Sequence, residues 1–407
     1  MTKLESIIKD EIRKTGGVLP FCKFMEIALF WKDLGYYEQD RPVIGKNGDY
    51  YTSVSTGFTF GWILAYLISE IHKAEPGLCN FSVIEVGAHN GQLAKDILSA
   101  LRQIDPELSE CIRYVIAEPS DKRKKLQQAV LSDFSGKVNW LKNIEECKDD
   151  SISGLILSNE LLDSMPVCRM TWNKKHKKWV HQGVSFNSKS FVWNVCQEDC
   201  QLIENLRSLR LSWDSNNHAN QDFSQWLPDI NCKSLGLPES LLEVLVDGFV
   251  IDLNLSSIIW WATACKKLHK GAIITFDYGY NNIEMFRAEM ARGRAKSFYR
   301  HTVSTDLLGS PGEKDLTAPI NFEFLQIIGS YCGLETRFMD TQERFLSHLI
   351  LRLYKAQPHH PVFSDGVFTK QFITLISPNH LGNDFKVLVQ TKGLAAKNLF
   401  NFGRGVR

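Results

Sequence analysis

Residues 81–101 read FSVIEVGAHNGQLAKDILSAL, and this segment indicates the class of fold of the 407-residue chain. It begins with the apolar run 83–86, which is typical of a strand buried on both faces of a parallel sheet. A loop with a glycine at each end follows (87–91), and apolar residues then recur at helical spacing from Leu93 to Ile104. Strand, glycine loop and helix together form the beginning of a nucleotide-binding βαβ unit.

The loop between this strand and helix indicates which ligand it accommodates. Gly87 allows a sharp turn, and Gly91 lets helix, strand and ligand approach one another because it has no Cβ. His89 stands where the second glycine of the G-x-G-x-x-G pattern would be, and that glycine is the one that lets a pyrophosphate contact the backbone. The loop therefore argues against NAD or FAD and favours a ligand with a ribose and no phosphate, such as S-adenosylmethionine (SAM). An ordinary α/β turn is the alternative interpretation.

Polar residues follow the next predicted strands. Glu118 ends the strand predicted for 113–117 and lies 27 positions after Gly91 (118 − 91), where an acid can accept hydrogen bonds from both ribose hydroxyls. A surface glutamate before a turn is the alternative. Asn159 and Glu160 directly follow another buried run. Because parallel strands bind ligands at their carboxyl ends, we expect these side chains to line one pocket.

The composition excludes several classes of protein. The chain carries 47 basic and 46 acidic residues, whereas a nucleic-acid-binding protein usually has a clearly basic domain. The basic runs 122–125 and 174–178 are expected to be a solvated helix start and a hairpin tip. No apolar run approaches the length of a membrane span.

The ten cysteines include no C-x-x-C pair, so we predict no metal site and reduced thiols. The first residues contain Glu5, Asp10 and Glu11, and they resemble neither a secretory signal nor an acid-poor transit peptide. We therefore expect a cytoplasmic location.

The remaining pattern suggests how the chain is organised. Helices are predicted for 4–12, 20–34 and 58–72, and the tyrosine-rich loop 35–55 is either a lid over the site or a segment that packs on these helices. The alternating segment 170–195 predicts an antiparallel hairpin or small sheet. We divide the chain into four segments: 1–80, an N-terminal helical cap and lid loop; 81–166, the first half of a SAM-binding Rossmann-like core; 167–250, a β-rich and helical insertion on the acceptor side; and 251–407, the second half of the core with C-terminal strands.

Further elements are predicted within the last of these segments. The residues 256–269 should form a helix, and 271–277 a buried strand that ends at Asp277. A helix over 322–331 and a strand over 385–389 complete the core.

Five motifs, in this order, resemble the MidA family of class I SAM-dependent methyltransferases. They are Gly48-Asp49-Tyr50-Tyr51-Thr52-Ser53, Glu85-Val86-Gly87 with Gly91, Asn159-Glu160-Leu161-Leu162-Asp163-Ser164-Met165-Pro166-Val167, Phe276-Asp277-Tyr278-Gly279 and Pro311-Gly312-Glu313-Lys314-Asp315-Leu316-Thr317. The resemblance extends from Gly35 to Val389. It implies an α/β fold of the class I methyltransferase type, with a mostly parallel sheet and helices on both faces.

The resemblance also implies an activity. The eukaryotic members of the family act in mitochondria as arginine methyltransferases that assist assembly of respiratory complex I. Two departures concern this chain: the family usually has glycine where His89 stands, and the targeting segment of the mitochondrial members is not seen. The second departure favours a bacterial-type relative, for which a respiratory-complex substrate does not follow.

The chemistry of methyl transfer limits which residues can act on the acceptor. Transfer from a sulfonium requires alignment of the acceptor, exclusion of water and a group that receives a proton, and it needs no metal. A guanidinium acceptor is charged, so carboxylates must hold it. Glu160, Asp163 and Asp277 are the candidate catalytic residues, with helix capping and a turn as the alternatives for the two aspartates. The resemblance adds His301 and Asp315 to the substrate channel. We assign the following residues to the cofactor: Tyr51, Thr52, Glu85, Gly87, His89, Gly91, Glu118, Pro119 and Asn159.

Three functions follow from this sequence. The first is a SAM-dependent methyltransferase that acts on a protein side chain, with arginine favoured. The second is a methyltransferase of small molecules, and the third is a SAM-binding assembly factor without catalysis. The sequence leaves a homodimer open, because exposed tryptophans would serve a partner or a second copy.

Overall fold

The structure is a computed structural model that describes residues 2–39, 51–75, 80–196, 240–378, 381–394 and 397–400. The chain folds into two compact units, each made of three segments. The sheet unit consists of Tyr51–Leu161, Ala262–Gly279 and Cys332–Arg407, and the hairpin unit consists of Met1–Tyr50, Leu162–Trp261 and Tyr280–Tyr331. Of the four segments predicted from the sequence, 1–80, 81–166 and 251–407 are each divided between the two units, and 167–250 lies in the hairpin unit.

The described α-helices agree closely with the hydrophobic periodicity of the sequence. They are α1 (Lys3–Lys14), α2 (Phe21–Phe30), α3 (Thr59–Ala74), α4 (Gln92–Ile104), α5 (Pro106–Cys111), α6 (Asp121–Val130), α7 (Ser240–Val244), α8 (Leu255–Lys267), α9 (Phe322–Tyr331), α10 (Gln342–Ala356) and α11 (Gly366–Ile376). The helix predicted for 20–34 ends early, since Trp31 already has the extended backbone angles φ −62° and ψ 126°.

The described strands belong to three sheets. They are β1 (Leu19–Pro20), β2 (Ser82–Val86), β3 (Arg113–Ala117), β4 (Val138–Leu141), β5 (Ile152–Asn159), β6 (Cys168–Asn173), β7 (Lys178–Phe186), β8 (Phe191–Val195), β9 (Val250–Leu253), β10 (Leu268–Tyr280), β11 (Lys296–Tyr299), β12 (Thr302–Ser304), β13 (Asp315–Thr317), β14 (Ile320–Asn321), β15 (Glu335–Thr341) and β16 (Phe385–Lys392). The strand predicted to end at Asp277 continues to Tyr280, and its pairing with β16 includes Tyr278 opposite Phe385.

Seven strands of the main sheet form the sheet unit's core layer, in the order β15-β16-β10-β5-β2-β3-β4. The pairings β10–β5, β5–β2, β2–β3 and β3–β4 are parallel, whereas β16 is antiparallel to both β10 and β15. This arrangement confirms the prediction of an α/β fold with a mostly parallel sheet. The strand order changes direction around β2, and open sheets bind their ligands at such a point.

The core of the sheet unit combines the sheet with its helices. Helix α3 is apolar almost all round and has 12 buried residues, as expected for a helix enclosed on most sides. Helix α4 instead has one apolar face, on which Leu93, Ile97, Leu98 and Leu101 are buried. This face belongs to the same hydrophobic cluster as Val83 of β2, so the helix that follows the glycine loop is held on the sheet.

The hairpin unit has a separate core and an antiparallel sheet. Strands β6, β7 and β8 pair in succession, which confirms the hairpin or small sheet predicted for 170–195. The basic run 174–178 forms the exposed tip between β6 and β7, as predicted. The core is built around helices α1 and α2, with Val167 and Val184 among its members.

Two further features are absent from the part of the chain that the structure describes. Within the ranges that the structure describes, no helix combines the length and the apolar character that crossing a membrane requires. The same ranges contain no group of three or more His, Cys, Asp or Glu side chains that could hold a metal ion.

Candidate cofactor-binding site

The ends of the central strands are aligned by the register of the sheet. Val86 of β2 is paired with Ala117 of β3 on one side and with Ser158 of β5 on the other. The next residue of each strand is therefore at the same level of the sheet, which brings Gly87, Glu118 and Asn159 to one carboxyl edge. This is the edge at which the sequence predicts the ligand site.

The loop after β2 has a backbone that most side chains avoid. Its φ angles are 78° at Gly87, 47° at His89 and 85° at Gly91, all in the left-handed region. The Gly91 amide donates to the Ala88 carbonyl at 2.7 Å, and Asn90 Oδ1 accepts from the Gln92 amide at 3.0 Å. These bonds form a tight turn into α4 even though His89 replaces a glycine.

Close approach explains both glycines of the loop. A Cβ at Gly87 would lie 2.8 Å from Leu161 Cδ1, which is too close for an unmoved side chain. A Cβ at Gly91 would lie 3.2 Å from Leu131 Cδ1 and 3.3 Å from Gln127 Cα, so its absence lets the loop lie directly against this part of the chain.

Glu118 presents a carboxylate whose orientation is fixed. The residue is only 6% exposed, and its Oε1 accepts from the Ser120 amide at 3.0 Å. Its Oε2 accepts from Gln127 Nε2 at 2.8 Å. Pro119 lies between Glu118 and Ser120, and Ser120 also caps α6 by accepting from the Arg123 amide. A buried carboxylate held in this way suits recognition of paired hydroxyl donors.

Glu85 lies one residue before the end of β2, where water has little access. It is buried and accepts a hydrogen bond from the Tyr114 hydroxyl at 2.7 Å. Burial raises the pKa of Glu85 to about 7, against the lowering effect of that hydrogen bond, and the charge of Asp96 adds to the rise. Burial likewise raises the pKa of Asp96 to about 6. Glu85 at the end of β2 and Asp96 on α4 therefore take up protons more readily than ordinary carboxyl groups.

The His89 ring is neutral at physiological pH. Burial, with the positive charge of Arg123, lowers the pKa of His89 to about 4, against the raising effect of a hydrogen bond that the ring donates to Asn90. The imidazole thus adds no positive charge to the loop, and the side chain is a neutral polar group there.

The edge at the end of β5 contains a strained residue. Glu160 has φ 51°, and its amide donates to the Phe276 carbonyl of β10 at 2.8 Å. Its Oε1 accepts from the Ser53 amide at 3.0 Å and from Asn159 Nδ2 at 3.1 Å. Strained backbone of this kind is concentrated at functional sites, where neighbouring contacts hold it in place.

The segment before α3 supplies the Ser53 contact. Ser53 is fully buried, and its hydroxyl donates to Gln342 Oε1 at 3.0 Å. Thr52 is also buried and forms mutual hydrogen bonds with Ser55, whereas Tyr51 is 52% exposed. Residues 48–50 of this motif lie outside the described residues, so the lid stays a prediction. The tyrosines Tyr36 and Tyr37 do pack within the hairpin unit, as the alternative proposed.

The candidate acceptor residues lie in both units. Asp277 is in the sheet unit and is fully buried, with Oδ1 accepting from the Tyr278 amide at 2.8 Å. It follows Phe276, which pairs with Asn159, so Asp277 and Glu160 both follow one paired position on neighbouring strands.

Asp163, His301 and Asp315 lie in the hairpin unit. The Asp163 carbonyl accepts from the Ala318 amide at 2.8 Å, and Asp315 Oδ2 accepts from the Tyr37 hydroxyl at 3.0 Å. His301 is exposed in the turn between β11 and β12, with φ 60°. The roles of these residues stay predictions.

Comparison with known proteins assigns the chain to a family. A model of a family of S-adenosyl-L-methionine-dependent methyltransferases matches residues 63–339, well over half of the 407. The chain belongs to the MidA family. It is therefore a class I SAM-dependent methyltransferase, as the motifs predicted, and SAM is its cofactor.

Individual relatives of this MidA-family chain are distant. The mitochondrial protein arginine methyltransferase NDUFAF7 homolog of Caenorhabditis elegans is 22% identical over 368 residues, which cover 80% of the chain and 71% of the relative. Human NDUFAF7 is 23% identical over 334 residues, which cover 77% and 66%. A crystal structure of a COG1565 superfamily member from Burkholderia thailandensis bound to S-adenosyl-homocysteine has a TM-score of 0.77 at 24% identity, and the match covers 99% of the chain and 95% of that protein. At that identity the similarity shows the fold.

The residues at the carboxyl edge of this MidA-family chain fit SAM. Asn159 Oδ1 is buried and accepts no hydrogen bond from the described residues, so it offers an acceptor to a ligand's donor groups. Glu118 would hold the ribose hydroxyls, and the loop 87–91 would lie against the ligand without bulky side chains at Gly87 or Gly91. Bound SAM supplies a methyl group on a sulfonium, which is already activated for displacement.

Two features of the site were not visible in the sequence. Gln127 and Tyr114 hold the candidate carboxylates Glu118 and Glu85, and neither follows a strand end or stands in a motif. For Gln127 the sequence offers one indication, which is a polar residue on the helix that follows Glu118.

Proposed function

We propose that this methyltransferase transfers the methyl group to a protein side chain, and that the favoured acceptor is arginine. The observation that carries the proposal is the carboxylate of Glu160. Two hydrogen bonds, from Ser53 and Asn159, hold this carboxylate at the carboxyl edge where the candidate SAM-binding residues lie. The names of the curated relatives, protein arginine methyltransferases, support the same acceptor class.

Glu160 is suited to orient a guanidinium. A carboxylate binds this planar cation through two parallel hydrogen bonds, which selects one nitrogen and fixes its direction. The donors on Glu160 Oε1 hold the carboxylate in one orientation before any acceptor arrives, so less side-chain entropy is lost on binding. We assign Asp277 as the second carboxylate, since it follows the strand position paired with Asn159.

The nitrogen that receives the methyl group must also lose a proton. We assign that proton to the Glu160 carboxylate, which is the general base of the proposed reaction. Asp163 stays a candidate catalytic residue from the sequence, and His301 and Asp315 stay candidates for substrate binding.

Labelled-methyl transfer tests the proposal directly. The purified protein is incubated with methyl-labelled SAM and the soluble extract of its host, and labelled products are identified by mass spectrometry. We expect label in the protein fraction, on arginine, and a strongly reduced amount with the Glu160→Gln variant. The exposed Glu145 of the same unit provides the control, because Glu145→Gln should behave as the wild type.

Other results would assign the chain to another function. Label confined to material of low molecular mass would identify a small-molecule methyltransferase. SAM binding without transfer to any fraction would support an assembly factor without catalysis.

A further inference from the structure

We infer that Gln127 is a positioning residue for the cofactor, which fixes the Glu118 carboxylate and the loop at His89 in the arrangement that receives the ribose. Gln127 lies on α6 and belongs to none of the motifs that identify the family. The inference rests on Glu118 as the ribose-binding acid and is independent of the methyl acceptor.

The Gln127 amide connects three separate parts of the sheet unit. Its Nε2 donates to the His89 carbonyl at 3.0 Å and to Glu118 Oε2 at 2.8 Å. Its Oε1 accepts from Trp140 Nε1 of β4 at 3.0 Å. The loop after β2, the tip of β3 and the strand β4 are therefore linked through one side chain.

The hydrogen-bond donors and the acceptor of the Gln127 amide all have partners. A glutamine side chain has two N–H donors and one carbonyl oxygen, and here both hydrogens and the oxygen are engaged. The indole N–H of Trp140 can only donate, so Oε1 must face Trp140 and Nε2 must face Glu118 and His89. Rotation of the amide would break all three bonds at once. Gln127 is also completely buried, so water cannot replace them.

Both groups that Gln127 holds need such support. His89 has a left-handed backbone, and the bond to its carbonyl stabilises that conformation. The carboxylate of Glu118 is buried away from water and needs hydrogen-bond partners, and Gln127 and the Ser120 amide donate to different oxygens of it. Together these two bonds set the plane of the carboxylate, and recognition of two adjacent ribose hydroxyls depends on that plane.

Calorimetric binding of S-adenosylhomocysteine and of its 2′-deoxy and 3′-deoxy derivatives tests this role. The variant Gln127→Met keeps the length of the side chain and removes all three hydrogen bonds. We expect the Kd for S-adenosylhomocysteine to rise about tenfold, which is the usual effect of one lost hydrogen bond to a charged group. We also expect the difference in Kd between S-adenosylhomocysteine and its deoxy derivatives to be smaller in the variant than in the wild type, because a displaced Glu118 no longer distinguishes these ligands.

The neighbouring residue provides a matched control. Gln128 is exposed on the same helix, so Gln128→Met should bind all three ligands as the wild type does. A second variant, Trp140→Phe, removes only the bond to Gln127 Oε1. We expect it to raise the Kd about threefold, with circular dichroism used to confirm the fold.

Several results would overturn the inference. A folded Gln127→Met variant that binds S-adenosylhomocysteine with the wild-type Kd would do so. Weaker binding, with the same loss of affinity on removal of a ribose hydroxyl as in the wild type, would also do so, because it indicates a purely structural role for Gln127. If Gln127→Met does not fold, Trp140→Phe decides, and wild-type binding of all three ligands by that variant rejects the inference. If the wild-type protein binds the deoxy derivatives with the same Kd as S-adenosylhomocysteine, Glu118 does not hold the ribose hydroxyls and its proposed role is rejected. No acceptor takes part, so failure of the proposed arginine methylation leaves this test unaffected.

Discussion

The Tyr114 hydroxyl donates a hydrogen bond of 2.7 Å to Glu85 Oε2 inside the main sheet, where both residues are buried. The bond supplies a partner for the carboxyl group but does not offset its loss of water. Burial dominates and raises the pKa of Glu85 from 4.5 to about 7. The folded protein therefore retains a proton on Glu85 that the unfolded chain releases at lower pH.

This relationship predicts a pH-dependent stability. Glu85 contributes to folding fully below its unfolded pKa of 4.5, and this contribution is lost as the pH rises to about 7. In Glu85→Gln the neutral amide still accepts from Tyr114. Between about pH 5 and about pH 8 we expect the wild type to lose about 2 kcal/mol of unfolding free energy more than the variant. Urea unfolding at both pH values measures the difference.

The comparison with Glu85→Gln isolates this group. Asp96 also has a raised pKa, and its contribution is lost in the same direction, but it is present in both proteins. If the unfolding free energies of the wild type and of Glu85→Gln change with pH in parallel, the predicted pH dependence does not come from Glu85.

Replacing the carboxylate of Glu160 should affect catalysis far more than cofactor binding. Glu160→Gln keeps the contacts at Oε1 but cannot receive a proton, so we expect kcat to fall about 100-fold, the usual contribution of a general base. The Kd for S-adenosylhomocysteine should stay within about twofold, because the ribose is assigned to Glu118. Steady-state kinetics and calorimetry separate the two effects. An unchanged kcat in Glu160→Gln would remove this residue from the reaction.

The left-handed conformation of His89 predicts an order of stability among substitutions. Glycine adopts φ 47° without strain but has more backbone entropy when unfolded, so His89→Gly should change the unfolding free energy by less than about 1 kcal/mol. A β-branched residue is unfavourable at such a φ, and His89→Val should cost about 1–2 kcal/mol. Thermal and urea unfolding of both variants measure this order. Equal stability of the valine and glycine variants would show that the loop relaxes to another conformation.

A buried ion pair should be important for the stability of the hairpin unit. Arg169 Nη1 lies 2.8 Å from Asp252 Oδ1, and Asp252 Oδ2 also accepts from the amides of Arg294 and Ala295. Arg169→Met leaves a buried carboxylate without its cation, and we expect a loss of about 3 kcal/mol in unfolding free energy. The exposed Arg13 provides the control, since Arg13→Met should change it by less than about 0.5 kcal/mol. Equal effects of the two substitutions would contradict this prediction.

Local patterns predicted the strand ends at the carboxyl edge of the main sheet well. The strand at 83–86, the turn at Gly87 and the helix that follows are encoded by neighbouring residues, through apolar periodicity and glycine. Parallel pairing then places the ends of successive strands at one edge, so the positions of Glu118 and Asn159 followed from the order of the strands. The family motifs supplied the activity and the cofactor.

Other features depend on contacts between distant parts of the chain. On α6 the structure buries Gln127 and leaves Leu126 53% exposed, which is the reverse of what hydrophobicity predicts. The partner that makes Gln127 a buried residue, Trp140, is on another strand. The extension of β10 to Tyr280 similarly accompanies pairing with β16, which follows about a hundred residues later in the chain. The cytoplasmic location and the homodimer stay predictions.

The repeated passage of the chain between the two units limits how such a protein can evolve. The chain crosses from one unit to the other five times, at positions 50, 161, 261, 279 and 331. No single recombination point in the gene can therefore exchange one whole unit while leaving the other intact, because each unit is made of three separate segments. A change confined to the hairpin unit would have to arise by substitution or by insertion inside single segments, such as 162–261, while the segments of the sheet unit stay unchanged.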